Sequence, residues 1–175
     1  GLPKGILFWR SFTHWLGGMG VLVLALALLP SVGSRPLNVM KAESPGPVVS
    51  KLVPKTSQSS KILYGIYCAL TAVEIILLRI AGMPWYDSIV HSFATAGTGG
   101  FSTRNISVAA YQNPAAEIII TVFMLLFAVN FALYFMVLCG KFKQALKSDE
   151  LRFFLITVGI SIALIALNTS SYYAT

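Results

Sequence analysis

Charge is what this sequence has least of. Only 11% of its 175 residues are charged, and Asp and Glu together number 6. A soluble domain of this length carries about twice that charged fraction. With 56% hydrophobic residues and a mean hydropathy of +0.76, the chain reads as an all-α integral membrane protein. Histidine is equally scarce: there are two, His14 and His91. His91 stands beside Ser92, but adjacent helical residues do not face each other. With no paired acid and no metal-ligand spacing, the chain is not expected to be an enzyme. The two cysteines, Cys68 and Cys139, fall inside apolar runs and read as inert buried thiols. The first residue is Gly1, with no charged stretch and cleavage site behind it, so no signal peptide is expected. Both ends read as cuts in a longer protein. The sequon at Asn168 is too short a match to carry weight.

What is abundant is apolar length. Ile6 to Leu29, about 24 residues or about 36 Å of helix, is long enough to span a bilayer. Pro30 closes it. Ile62 to Met83, Ala115 to Cys139 and Leu151 to Leu167 are the second, third and fourth expected spans. The bases lie between them. Arg35, Lys41, Lys51, Lys55 and Lys61 fall in the Pro- and Ser-rich connection after the first span. Lys141, Lys143, Lys147 and Arg152 fall around "GKFKQALKSDELR". They form no stripe that would suit nucleic acid, and no nucleic-acid partner is expected. If both connections share a side, the positive-inside rule makes that side cytoplasmic. Residues 84–114 then lie outside, and the first to fourth spans run inward, outward, inward and outward.

That outer segment contains "GMPWYDSIVHSFATAGTGGFSTRN". Pro84 suits a first helical turn, and Asp87 sits where the helix dipole favours a carboxylate. About eleven helical residues follow, roughly 16 Å, or half a bilayer core. Glycines then end the helix. A half helix that enters, followed by a non-helical stretch that returns, is a re-entrant loop. Such backbone is tolerated at membrane depth only when buried in protein or lining a wet cavity. The carbonyls of Thr98, Gly99, Gly100 and Phe101 then have a use, since rings of carbonyls replace water around a potassium ion. The half helix also points its negative end at the membrane centre, which favours a cation there. A monovalent cation is therefore expected at Thr98, Gly99 and Gly100, with Gly97 beside it, and potassium is one such ion. A tight extracellular turn is the plainer alternative.

Other polar residues have two readings each. Glu74, deep in the second span, either braces the half helix or adds to the cation field. Asn130 either bonds a neighbouring helix or lines the pore. Arg79 is expected to snorkel to the outer interface. Arg10 and His14, four apart near the outer end of the first span, read as interface anchors. Glu117 either concentrates cations at the mouth or is simply solvated.

Four stretches resemble the Trk/Ktr/HKT superfamily of potassium transporters, on its bacterial Trk branch. "LPKGILFWRSFTHWLGGMGVLVLALALLP" resembles the second helix of the first repeat, and "KAESPGPVVSKLVPK" the cytoplasmic connection that follows. "HSFATAGTGGFST" resembles the pore loop of the second repeat. "NFALYFMVLCGKFKQALKSDELRFFL" resembles that repeat's outgoing helix and the start of the third. The resemblance implies four helix–re-entrant pore loop–helix repeats of the potassium-channel-like type around one pore, of which this chain holds about one. Residues 1–30 would be the second helix of repeat one, 31–61 the cytoplasmic connection, 62–140 the complete second repeat, and 141–175 a cytoplasmic turn and the first helix of repeat three. It further implies potassium as the transported ion, no organic cofactor, a cytoplasmic nucleotide-binding ring subunit as partner, a homodimer, and a multi-pass place among the lipids of a bacterial cell membrane. The extra glycine of "GTGG" departs from the family's simpler filter stretches, and the register taken here makes Gly100 the filter glycine. Two other functions fit a discontinuous helix: a secondary transporter binding another substrate, and a non-transporting membrane scaffold.

Overall fold

The computed structural model describes residues 2–20 and 56–173, and these contain helices and no β-strand. The latter half of the first expected span, and Arg35, Lys41, Lys51 and Lys55, lie outside the described residues. Residues 1–132 and 133–175 form two units.

The first unit is built around a short buried helix. Helix α1 (Lys4–Gly18) ends where Gly17 and Gly18 weaken the helix, and Gly20 follows with φ +77°. Helix α2 (Thr56–Ile80) is the second expected span, and its residues 60–80 are long and apolar enough to cross a membrane. Gly82, at φ +98°, reverses the chain. Helix α3 (Trp85–Ala96) then matches the half-length helix expected from the sequence. A 3-10 turn at Ser107–Tyr111 leads to helix α4 (Pro114–Ala128).

Two sets of contacts fix how α2, α3 and α4 lie. The Asn113 side chain caps α4, accepting from the Ala115 and Ala116 N–H groups, and donates to the Ala81 carbonyl at the end of α2. Farther from that turn, Tyr67 in the middle of α2 meets Phe127 near the end of α4 edge to face, 5.5 Å between centroids. So α2 and α4 are antiparallel. Ala96, the last residue of α3, packs in the same cluster as Tyr67, Phe123 and Phe127. Helix α3 therefore starts level with the α2–α4 turn and ends well down their length.

Its sequence suits that place. Ser88, Ser92 and Ala96 recur every four residues and are buried, a small-residue stripe that lets neighbouring helices approach. Asp87, His91 and Thr95 form a second buried stripe beside it. Trp15 of α1 joins the three helices: it stacks on Tyr67 (5.5 Å), meets Phe93 (5.3 Å), and donates from Nε1 to Thr71 Oγ1 (3.1 Å). Each aromatic pair contributes about 0.5–1.5 kcal/mol beyond the area it buries.

The third expected span, Ala115 to Cys139, is not one helix. Helix α4 stops at Ala128, Val129 is extended (φ −74°, ψ 142°), and a new helix α5 (Phe131–Leu138) begins. Asn130 is the cause within reach of the sequence. Its Oδ1 accepts from the Ala132 N–H (2.9 Å), so it caps α5.

The second unit continues from α5 through helix α6 (Phe142–Leu146) to helix α7 (Asp149–Tyr173). Residues 149–169 of α7 are long and apolar enough to cross a membrane, which bears out the fourth expected span. Contrary to expectation, Cys139 is exposed and Cys68 half-buried; both are free thiols.

Candidate functional site

The stretch after α3 leaves the helix by a well-defined route. Gly97 is the C-cap, at φ −83°. Thr98 N–H then bonds the Thr95 carbonyl (2.7 Å), and Gly99 N–H the Ala94 carbonyl (2.8 Å). That bond pair is a Schellman motif, which requires a left-handed residue just past the cap. The residue there is Thr98, at φ +57°. A β-branched side chain in that region is strained. Gly100 is left-handed as well (φ +66°), so positive φ occurs at two positions with Gly99 between them. Thr98, Gly99 and Gly100 are exposed in this chain, while Phe101 is half-buried.

From Phe101 the chain comes back along α3. Ser102 Oγ lies 2.9 Å from His91 Nε2, and Thr103 Oγ1 donates to Asp87 Oδ1 (2.9 Å). Asp87 is in the first turn of α3, so by residue 103 the loop has regained the level at which the helix began. The descent from Asp87 to Ala96 is about 14 Å of helix, undone in seven residues of loop. The glycine stretch is thus the turn of a hairpin, set about 14 Å along α3 from the level of Asp87.

The hydrogen bonds along this return leg are chemically specific. His91 Nδ1 lies 2.7 Å from the Asp87 carbonyl, which can only accept, so Nδ1 carries a proton. Nε2 then accepts from the Ser102 hydroxyl, whose oxygen takes the Arg104 N–H (3.1 Å). Thr103 Oγ1 also meets Tyr111 OH at 3.1 Å. Two side chains of the half helix therefore hold two consecutive residues of the return leg.

Helix α1 contributes as much. Arg10 places its guanidinium 4.3 Å from the centre of the Phe101 ring and donates to the Ser102 carbonyl (3.0 Å). His14 meets Phe101 edge to face at 5.1 Å. Gly18 lies so close to the loop that a Cβ there would come 2.8 Å from Gly97 Cα. Arg10 and His14 were expected to anchor an interface; they pack on the loop instead.

The other expected residues lie apart from the glycines. Glu74 is fully buried in α2, and among the described residues neither carboxyl oxygen has a hydrogen-bond partner. Thr95 faces it, but the Thr95 hydroxyl donates to the His91 carbonyl (2.9 Å). Asn130 is at the start of α5, as a cap. Arg79 is exposed and reaches the Met83 carbonyl (3.3 Å) and the Trp85 ring. Glu117 is exposed in the first turn of α4. The sequence reading missed His91, Ser102, Thr103 and Tyr111 as parts of one network. Its signal was there: Asp87, His91 and Thr95 share a helix face at i, i+4 spacing in an otherwise apolar segment.

Among the described residues, no three His, Cys, Asp or Glu side chains gather to hold a metal ion. The oxygens presented at the turn belong to the backbone and to Thr98, whose hydroxyl is bonded to the Gly97 carbonyl (2.7 Å). Such neutral, hard oxygens suit a weakly held monovalent cation better than a transition metal.

Comparison with known proteins agrees with this chemistry. The family model described as TrkH, cation transport protein, matches residues 1–170. The Trk system potassium uptake protein TrkH of Salmonella typhimurium is 39% identical over 170 residues, 96% of this chain and 35% of that protein. The TrkH protein of Vibrio parahaemolyticus is 44% identical over 135 residues, 77% of this chain and 28% of that one. The crystal structure of the potassium transporter TrkH from Vibrio parahaemolyticus superposes with a TM-score of 0.71 at 35% identity, covering 98% of this chain and 35% of that chain. The chain thus spans about a third of the length of the curated relatives it matches. A half helix, a left-handed glycine turn and a pinned return leg, set in a sequence matched nearly end to end, lead to one assignment: the chain belongs to the TrkH family of cation transport proteins.

Proposed function

We propose that this chain supplies one quarter of a potassium-conducting pore, as part of a Trk-type uptake system in a bacterial cell membrane. The observation that carries the reading is the turn after α3, left-handed at Thr98 and Gly100 and returned alongside the same helix. In this reading residues 62–140 are a complete repeat, flanked by the second helix of one repeat (1–30), a cytoplasmic connection (31–61), and the first helix of another (141–175). The carbonyls of Thr98, Gly99, Gly100 and Phe101 face the ion, and Gly97 opens the turn. The exposure of residues 98–100 in this chain leaves room for three facing loops. Glu74 supports α3 from behind, and Asn130 lies at the break below the filter. A cytoplasmic nucleotide-binding ring subunit and a second copy of the transporter complete the assembly.

The test is potassium uptake by the full-length protein in cells lacking their own uptake systems. Growth at low potassium and saturable uptake of K⁺ are the expected results. Failure of a well-inserted full-length protein to carry K⁺, with transport of some other solute, would turn the reading to a secondary transporter with a discontinuous helix.

The same reading predicts sidedness. Cysteines placed at Lys51 and Lys141 should resist an impermeant thiol reagent added to intact cells, while a cysteine at Asn105 should react. Labelling of position 51 from outside would overturn the topology.

A further inference from the structure

We propose that α1, a helix outside the loop's own repeat in the reading above, forms the back wall of the ion filter, with His14 and Arg10 as positioning residues that set its width. The inference rests on the filter reading of residues 98–101.

The argument starts from why Gly97 is a glycine. Its φ of −83° suits any residue, so the backbone does not demand it. Space does. A Cβ at Gly97 would come within 2.5 Å of His14 Nε2 and 3.0 Å of His14 Cγ, and its three nearest neighbours are all atoms of that ring. Gly99 is held the same way: its φ is not among the positive values, and a Cβ there would meet His14 Nε2 at 2.5 Å and Phe101 Cε1 at 2.7 Å. Gly100 differs. Its φ of +66° is the constraint, and the one side-chain neighbour of an added Cβ is the flexible end of Met124, at 3.2 Å. Two of the three glycines therefore answer to one imidazole from another helix.

The His14 ring stands edge-on to Phe101, and among the described residues its buried Nε2 has no hydrogen-bond partner. It acts on the loop by shape rather than by a bond. One turn earlier, Arg10 covers the other part of Phe101 and holds the Ser102 carbonyl. The planar guanidinium does both at once, stacking and donating, which a lysine ammonium does not reproduce. The loop is thus gripped at its descending side by the His14 ring and at its returning side by Arg10.

Coupling between His14 and Gly97 is the test, read in the full-length transporter as K⁺ uptake and its inhibition by Na⁺, both normalised to protein in the membrane. Gly97→Ala is expected to raise the KM for K⁺ about tenfold, the usual scale of overpacking a tight site. His14→Ala alone should widen the loop and increase Na⁺ inhibition, with maximal rate less affected than KM. The double variant Gly97→Ala/His14→Ala should recover most of the affinity lost by Gly97→Ala, because the added methyl occupies the vacated space. Arg10→Lys should behave like Arg10→Gln, since charge alone does not hold Phe101 and Ser102. If Gly97→Ala lowers the amount of protein in the membrane, the same cycle is read on that amount, and recovery in the double variant has the same meaning. Effects of Gly97→Ala and His14→Ala that simply multiply would overturn the proposal. Failure of the filter reading looks different: Gly100→Ser would then leave Na⁺ inhibition unchanged as well.

Discussion

Gly100→Ser is expected to let Na⁺ compete with K⁺ about tenfold better, with expression and membrane insertion intact. The residue sits at φ +66°, where a side chain costs about 1–2 kcal/mol against a right-handed conformation. The loop can relieve that strain by turning the peptide, which moves a carbonyl of the proposed ion site. Packing adds little, because the nearest side-chain atom is the mobile Met124 Cε. The serine hydroxyl is a further hard oxygen in the site, and Na⁺ tolerates an irregular oxygen shell. Gly100→Ala separates the two causes, since it carries the strain without the hydroxyl. The measurement is K⁺ uptake by full-length protein with and without excess Na⁺. Unchanged affinity and unchanged Na⁺ inhibition in a well-expressed variant would mean that the ion does not meet this residue.

Asp87→Ala should be the most damaging change away from the glycines. Asp87 is 6% exposed and stands at the start of α3, where the helix dipole favours a negative group. Its Oδ1 accepts from Thr103 Oγ1 at 2.9 Å, which ties the end of the return leg to the start of the half helix. Removing a buried acceptor of this kind costs about 1.5–3 kcal/mol. Uptake is expected to fall between about tenfold and a hundredfold, with a lower melting temperature of the purified protein. Asp87→Asn keeps an acceptor for the hydroxyl and should lose far less. Thr103→Val should mimic Asp87→Ala, and the pair combined should cost little more than either alone. Full additivity would show that the two side chains do not act through each other.

Much of this protein was legible in one dimension. The bilayer demands long apolar helices, so scarcity of charge and the lengths of the apolar runs placed α2 and α7. The half-length helix was legible for the same reason: Pro84 starts it, glycines stop it, and about twelve residues cannot span. The left-handed turn after it follows from glycine content, though its placement at Thr98 as well as Gly100 does not.

Tertiary contacts decided the rest. Whether Ala115 to Cys139 runs as one helix turns on Asn130, whose Oδ1 caps a new helix by accepting from the Ala132 N–H; hydropathy alone does not distinguish a capping asparagine from one inside a span. Arg10 and His14 look like ordinary interface residues on a helix of their own. Only the packing of α1 against the loop turns them into a clamp, because the residues they touch lie about ninety positions away. The reason Gly97 and Gly99 are glycines is likewise invisible along the chain. Hydropathy and periodicity report what each residue does toward solvent or lipid. They do not report which side chain from another helix fills the space where a Cβ is missing.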